Sequence, residues 1–161
     1  PLHHRADPFR RWRLRVVAAA KGRYGAKWGA MGRVIFDESE KPLMRMTYQG
    51  VPDDAEWEHH IAVMSDWARR YEVYGVVIDA REGGRITPTQ RRGIMDWITR
   101  DKEHLRRNCA GGAMIFASPL QQGLWTAISW VTPSPIPVKM FSDVPGAEHW
   151  VRSQLEQKIA S

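Results

Sequence analysis

The sequence predicts an α/β fold: a mixed sheet of about five strands with four helices, in the order β-β-α-β-α-β-α-β-α. Three observations carry this. Val76, Val77 and Ile78 form a continuous β-branched run, which suits a strand buried on both faces. Thr87, Pro88 and Gln90 spell a helix start, with a hydroxyl at the cap, a preset φ at the first helical position and an amide three residues after the cap. Between Leu43 and Gln49, Met44, Met46 and Tyr48 alternate with Leu43, Arg45, Thr47 and Gln49, the period of a strand with one buried face.

Taken in order, Gly32 to Asp37 and Leu43 to Gln49 read as two strands joined through Glu38 to Pro42, an antiparallel hairpin. Asp53 or Asp54 then caps a helix to about Tyr71. Its apolar stripe is Trp57, Ile61, Met64 and Ala68, with Val63 and Trp67 beside it. The strand at Val76–Ile78 is expected to end at Asp79, with Ala80 to Ile86 forming a loop into the capped helix, Pro88 to about Arg107. Ala113 to Ala117 gives another buried strand, and Leu120 to Val131 a short helix carrying Trp125, Ile128 and Trp130. Three prolines between Thr132 and Pro137 force an extended connection. Val138 to Phe141 is the last strand. A terminal helix starts at Pro145, with Ala147, Val151, Leu155 and Ile159 as its stripe. Alternating elements after a hairpin call for right-handed crossovers, with Val76–Ile78 and Met114–Phe116 central.

The charge is unevenly spread. Of 24 basic and 18 acidic residues, positions 1–30 hold eight and one, so the remainder carries sixteen and seventeen. The net +6 therefore belongs to an N-terminal arm and is no nucleic-acid footprint of the body. Two units follow: a basic arm, 1–30, expected to be flexible, and an α/β domain, 31–161. The arm also reads as a surface-seeking amphipathic helix, a transit-like segment, or an arm for nucleic acid or anionic lipid. It reads equally as an upstream extension of a frame that begins at Met31. No stretch approaches a membrane span. The single cysteine, Cys109, leaves no intramolecular disulfide and fits a reducing, cytoplasmic setting.

The element order, together with VVIDAR closing a strand, TPTQRRGIMDWI opening a helix and AMIFASPLQQGLWTAISW following, resembles the sporulation anti-sigma-antagonist superfamily, the STAS or SpoIIAA-like domains. It is most similar to their divergent, free-standing bacterial members, over about Met31 to Ala160. The resemblance implies a non-enzymatic domain. Many members of that superfamily are binding partners switched by phosphorylation, and some related folds hold apolar ligands. The switch implied is a Ser or Thr at the start of the helix after the central strand, within an Asp-Ser-Ser-Gly-like motif. Here that place reads Arg85-Ile86-Thr87-Pro88-Thr89, without the motif, and Thr87 and Thr89 are the equivalent hydroxyls.

Thr87 is thus either a phosphorylation site or a structural cap. Asp79 ends a strand where open α/β sheets form their ligand crevice. With Arg81, Glu82 and Arg85 it lines a polar edge, or else it simply fixes its own loop. Cys109 and His104 lack a third group to orient a base, and Cys109 reads as a small buried thiol. His59 and His60 point about 100° apart on a helix and read as solvated surface rather than a metal site. Gly83-Gly84 and Gly111-Gly112 lack the Lys-Ser/Thr of a phosphate loop. No catalytic residue, metal or cofactor is expected. Arg81, Arg85, Arg91 and Arg92 make either a cationic rim beside Thr87 or a solvated helix face, and Trp125 and Trp130 either offer an apolar anchor or cover the edge of the sheet. The expected function is docking of a protein partner or a second copy of the chain. The alternative is a carrier with an apolar ligand between sheet and helices.

Overall fold

The computed structural model describes residues 32–120, 122–123 and 133–161. Two strands lead, β1 (Arg33–Glu40) and β2 (Leu43–Gly50), followed by helix α1 (Asp54–Arg70). Strand β3 (Tyr74–Gly83), helix α2 (Pro88–Asn108), strands β4 (Cys109–Ile115) and β5 (Val138–Phe141), and helix α3 (Val144–Ile159) complete the described order. The sheet runs β1-β2-β3-β4-β5, with the first pair antiparallel and the rest parallel. This is the mixed five-stranded sheet expected, with β3 at its centre. Three helices lie among the described residues. The fourth, expected over Leu120 to Val131 with Trp125 and Trp130, falls largely outside them, as does the basic arm. No described helix is long and apolar enough to cross a membrane.

Each face of the sheet has its own core. Met44, Met46 and Tyr74 pack with Met64, Trp67 and Leu105 beneath α1 and α2. Leu43, Val77, Ala113 and Ile115 pack with Ala147, Val151 and Leu155 of α3 on the other side. The period-two alternation of β2 assigns Met44 and Met46 to one layer and Leu43 to the other. Gly75 lets α3 approach closely, since a Cβ there would collide with Val151. Arg45 ties the same helix to the sheet, its Nε donating to Glu148 Oε1 at 2.6 Å.

The helix starts follow the sequence closely. Asp53 caps α1 by accepting from the Glu56 amide, and Asp143 caps α3 by accepting from the Gly146 amide. Thr87 and Gln90 form the full capping box on α2.

Four boundaries and two exposures differ from expectation, the first being β1, which runs past Asp37 to Glu40. β3 does not end at Asp79 but runs to Gly83, because β2 continues alongside it and pairs Gln49 with Glu82 and Gly50 with Gly83. The step from Thr47–Asp79 to Gln49–Glu82 inserts one extra residue in β3, a bulge. β4 begins at Cys109, earlier than Ala113, and stops at Ile115. It contains Gly111 and Gly112, where the pairing steps from Tyr74–Cys109 to Val76–Gly112 and again leaves one residue over. That bulge places both Ala110 and Ala113 on the α3 face despite their odd spacing. α3 starts at Val144, one residue before Pro145. Ile159 is 66% exposed rather than core. His60, read as surface, is fully buried, because the inward face of α1 runs Trp57, His60, Met64 and Trp67.

Candidate functional site

Strands β2, β3 and β4 are parallel, so their carboxyl ends open on one edge of the sheet, where ligand crevices of open α/β sheets lie. β2 leaves that edge through Gly50, whose φ of 68° lies in the left-handed region that favours glycine. β3 leaves through Gly83, and the chain turns there into the N-terminus of α2. A cavity of about 430 Å³ occupies this corner. Tyr48, Trp57, Met114 and Phe116 supply its apolar lining, and the exposed Arg85 and Arg91 also line it.

The wall is knitted by Gln90, a nearly fully buried amide. Its Nε2 donates to the Pro52 carbonyl at 2.8 Å, its Oε1 accepts from the Thr87 amide at 3.0 Å, and its own carbonyl accepts from Trp57 Nε1 at 3.1 Å. Beneath the lining, the Tyr48 hydroxyl meets His60 Nε2 at 2.7 Å. His60 lies 4.8 Å from Trp57 between ring centroids, and its Nδ1 has no hydrogen-bond partner among the described residues. Burial, reinforced by the nearby charge of His59, lowers the His60 pKa to about 4. Burial likewise raises that of Tyr48.

The residues singled out in the sequence divide into separate groups. Arg85 and Arg91 line the cavity and are exposed, and among the described residues neither makes an ion pair. Arg92, one position on, is exposed and outside the lining. Asp79 and Arg81 engage each other. Asp79 Oδ1 accepts from Arg81 Nε at 3.0 Å, Oδ2 accepts from a terminal guanidinium nitrogen at 2.7 Å, and Oδ1 also takes the Arg81 amide at 3.1 Å. The Arg81 bonds hold the Asp79 carboxyl below its ordinary range. Arg81 therefore adds little free charge to the rim. Thr87 is exposed and caps α2, and Thr89 is exposed in the first turn. Trp125 and Trp130 lie outside the described residues.

Sequence reasoning missed the lining. Tyr48 read only as one side of β2 and Trp57 only as helix stripe. Their spacing announced burial, but what they face depends on how α1 lies over the sheet. It also missed Asp101, a fully buried carboxylate on α2. Asp101 accepts from Ser65 Oγ at 2.9 Å, from Arg69 at 2.6 and 3.0 Å, and from Arg100 at 3.0 and 3.2 Å. Burial alone would raise its pKa, but the bonds from Ser65, Arg69 and Arg100 outweigh that and lower it. The cluster ties α1 to α2.

Among the described residues no group of three or more His, Cys, Asp or Glu side chains is placed to hold a metal ion. Cys109 is buried, and its thiol is pushed up to about 12, chiefly by burial. It stays protonated at neutral pH.

An α/β sheet flanked by helices on both faces, led by a hairpin and completed by parallel crossovers, defines the class. Within it, the described domain has the SpoIIAA-like, or STAS, fold. It matches an uncharacterized protein of the DUF3478 family with a SpoIIAA-like fold from Shewanella loihica at a TM-score of 0.59 and 13% identity, over 78% of this chain and 98% of that one. An anti-sigma factor antagonist from Mycobacterium paratuberculosis is also similar, with a TM-score of 0.49 and 10% identity over 75% of this chain and 94% of the other. No family model and no curated protein matches the sequence.

Proposed function

We propose that this domain is a non-enzymatic regulatory or scaffolding module that docks a protein partner at the rim formed by the end of β3 and the start of α2. The observation that carries this reading is the pairing of opposites at one corner: Arg85 and Arg91, exposed and without ion-pair partners among the described residues, flank a cavity with an apolar lining. Such a juxtaposition suits an interface with an apolar centre and a charged margin, where the charge steers and orients. The SpoIIAA-like fold is consistent with a regulatory role. An apolar-ligand carrier is the weaker reading, because a carrier needs enclosure and two exposed guanidiniums line this cavity.

Reversing both charges, Arg85→Glu with Arg91→Glu, is expected to abolish capture of the partner in pull-downs from the source cells. The melting temperature should stay nearly unchanged, since neither side chain is buried. Capture that survives the double reversal would move the interface elsewhere, and a collapsed melting temperature would make the two arginines structural.

A further inference from the structure

Resting on the docking reading, we infer that the cavity at the carboxyl ends of β2–β4 receives one bulky apolar side chain from an acidic segment of the partner, whose flanking carboxylates pair with Arg85 and Arg91. The volume is the first argument. About 430 Å³ accommodates an indole or a phenyl group with room for its backbone. An aromatic anchor in such a pocket removes roughly 150–250 Å² of surface from water, the usual basis of a hot spot.

Placement of apolar surface is the second. Two of the large hydrophobic residues left exposed stand at this corner: Leu120, 70% exposed, lines the cavity, and Val51, 43% exposed, lies between its lining residues Gly50 and Pro52. Apolar side chains flanking a cavity extend its apolar surface outward, as a seat for an inserted anchor requires.

Charge is the third. The first turn of α1 carries Asp54 and Glu56, which offset the positive end of that helix, whereas the first turn of α2 carries no acidic residue. Arg85 just before that turn and Arg91 just after it add to the field instead. Asp79 is engaged by Arg81 and does not neutralise them. A carboxylate arriving at this rim therefore meets a helix N-terminus and two guanidiniums that have no ion-pair partner among the described residues. A basic or neutral segment would gain none of this.

The test is selection of random displayed peptides on the full chain, repeated on the Arg85→Glu/Arg91→Glu variant. Enriched peptides should share a Trp, Phe or Leu flanked by Asp or Glu. Replacing that apolar residue by Ala should weaken binding about tenfold or more. Raising the salt should weaken it as well. The double variant should lose these peptides and bind their charge-swapped versions, with Lys in place of the acids, a gain that a merely structural defect would not produce. Peptides without acidic flanks that are still lost on the double reversal would overturn this inference while leaving the docking rim in place. Peptides indifferent to the reversal would remove both. Failure to enrich any peptide would overturn the anchored-segment inference, with partner capture by the whole protein then deciding the docking reading on its own.

Discussion

The Tyr48 hydroxyl sits 2.7 Å from Nε2 of a histidine that is wholly buried, His60. That imidazole is neutral in the folded protein, with its pKa lowered to about 4 by burial and then by His59, against about 6.5 when unfolded. The unfolded chain therefore binds the extra proton first as pH falls. Stability from neutral His60 is complete above about pH 6.5 and is lost progressively towards pH 4. Between pH 7 and 5 the loss should be about 2 kcal/mol in urea unfolding. His60→Gln, which keeps a polar partner for Tyr48, should flatten that slope. An unchanged slope would assign the pH dependence to other groups.

Asp101 makes a different prediction, because its partners are half exposed and it is not. Removing both guanidiniums, Arg69→Met with Arg100→Met, leaves a buried carboxylate with Ser65 alone. This should cost about 3 kcal/mol. Adding Asp101→Asn should recover part of that loss, since the stranded charge is gone. A triple variant no more stable than the double would show that the charge was not the problem.

At the start of α2, the cap and its partner should differ. Thr87→Ala removes a cap acceptor near solvent and should cost about 1 kcal/mol. Gln90→Ala also strands the buried Pro52 carbonyl and should cost about 2 kcal/mol. Equal losses by chemical denaturation would mean that the Pro52 contact contributes nothing.

The two central strands should respond unequally to truncation. Ile115 is fully buried against α3, while Ile78 is only partly buried at the edge of the other core. Ile115→Ala should cost about 3–4 kcal/mol and Ile78→Ala distinctly less. The reverse ranking would place the better-packed core under α1 and α2.

What the sequence revealed was what is local. The capping box needs only Thr87, Pro88 and Gln90 in line, and the exchange of hydrogen bonds between Thr87 and Gln90 is as their spacing implies. The alternation in β2 needs only its own residues. The continuation of β3 past Asp79 was hidden because it depends on β2 running beside it through a bulge. His60 was misread because polarity outweighed position: it lies three residues from Trp57 and four from Met64, both buried. Asp101 was hidden for a related reason, since its partners come from α1 and from the neighbouring residue on α2. The site was half legible. Arg85 and Arg91 stood out as charge, but Tyr48, Trp57, Met114 and Phe116 converge only once the sheet and α1 are packed.

The bulge at Gly111-Gly112 bears on how this chain tolerates changes of length. On either side of it, Cys109 pairs with Tyr74 and Gly112 with Val76, so three steps along β4 match two along β3. Deleting Gly111 would make the counts equal and leave Ala113 opposite Val77, with every inward side chain still in its own layer. Deleting Ala113 instead would turn Met114 and Ile115 to the opposite helices. The first shortened chain should fold and the second should not, so this strand has a residue it can lose beside one it cannot.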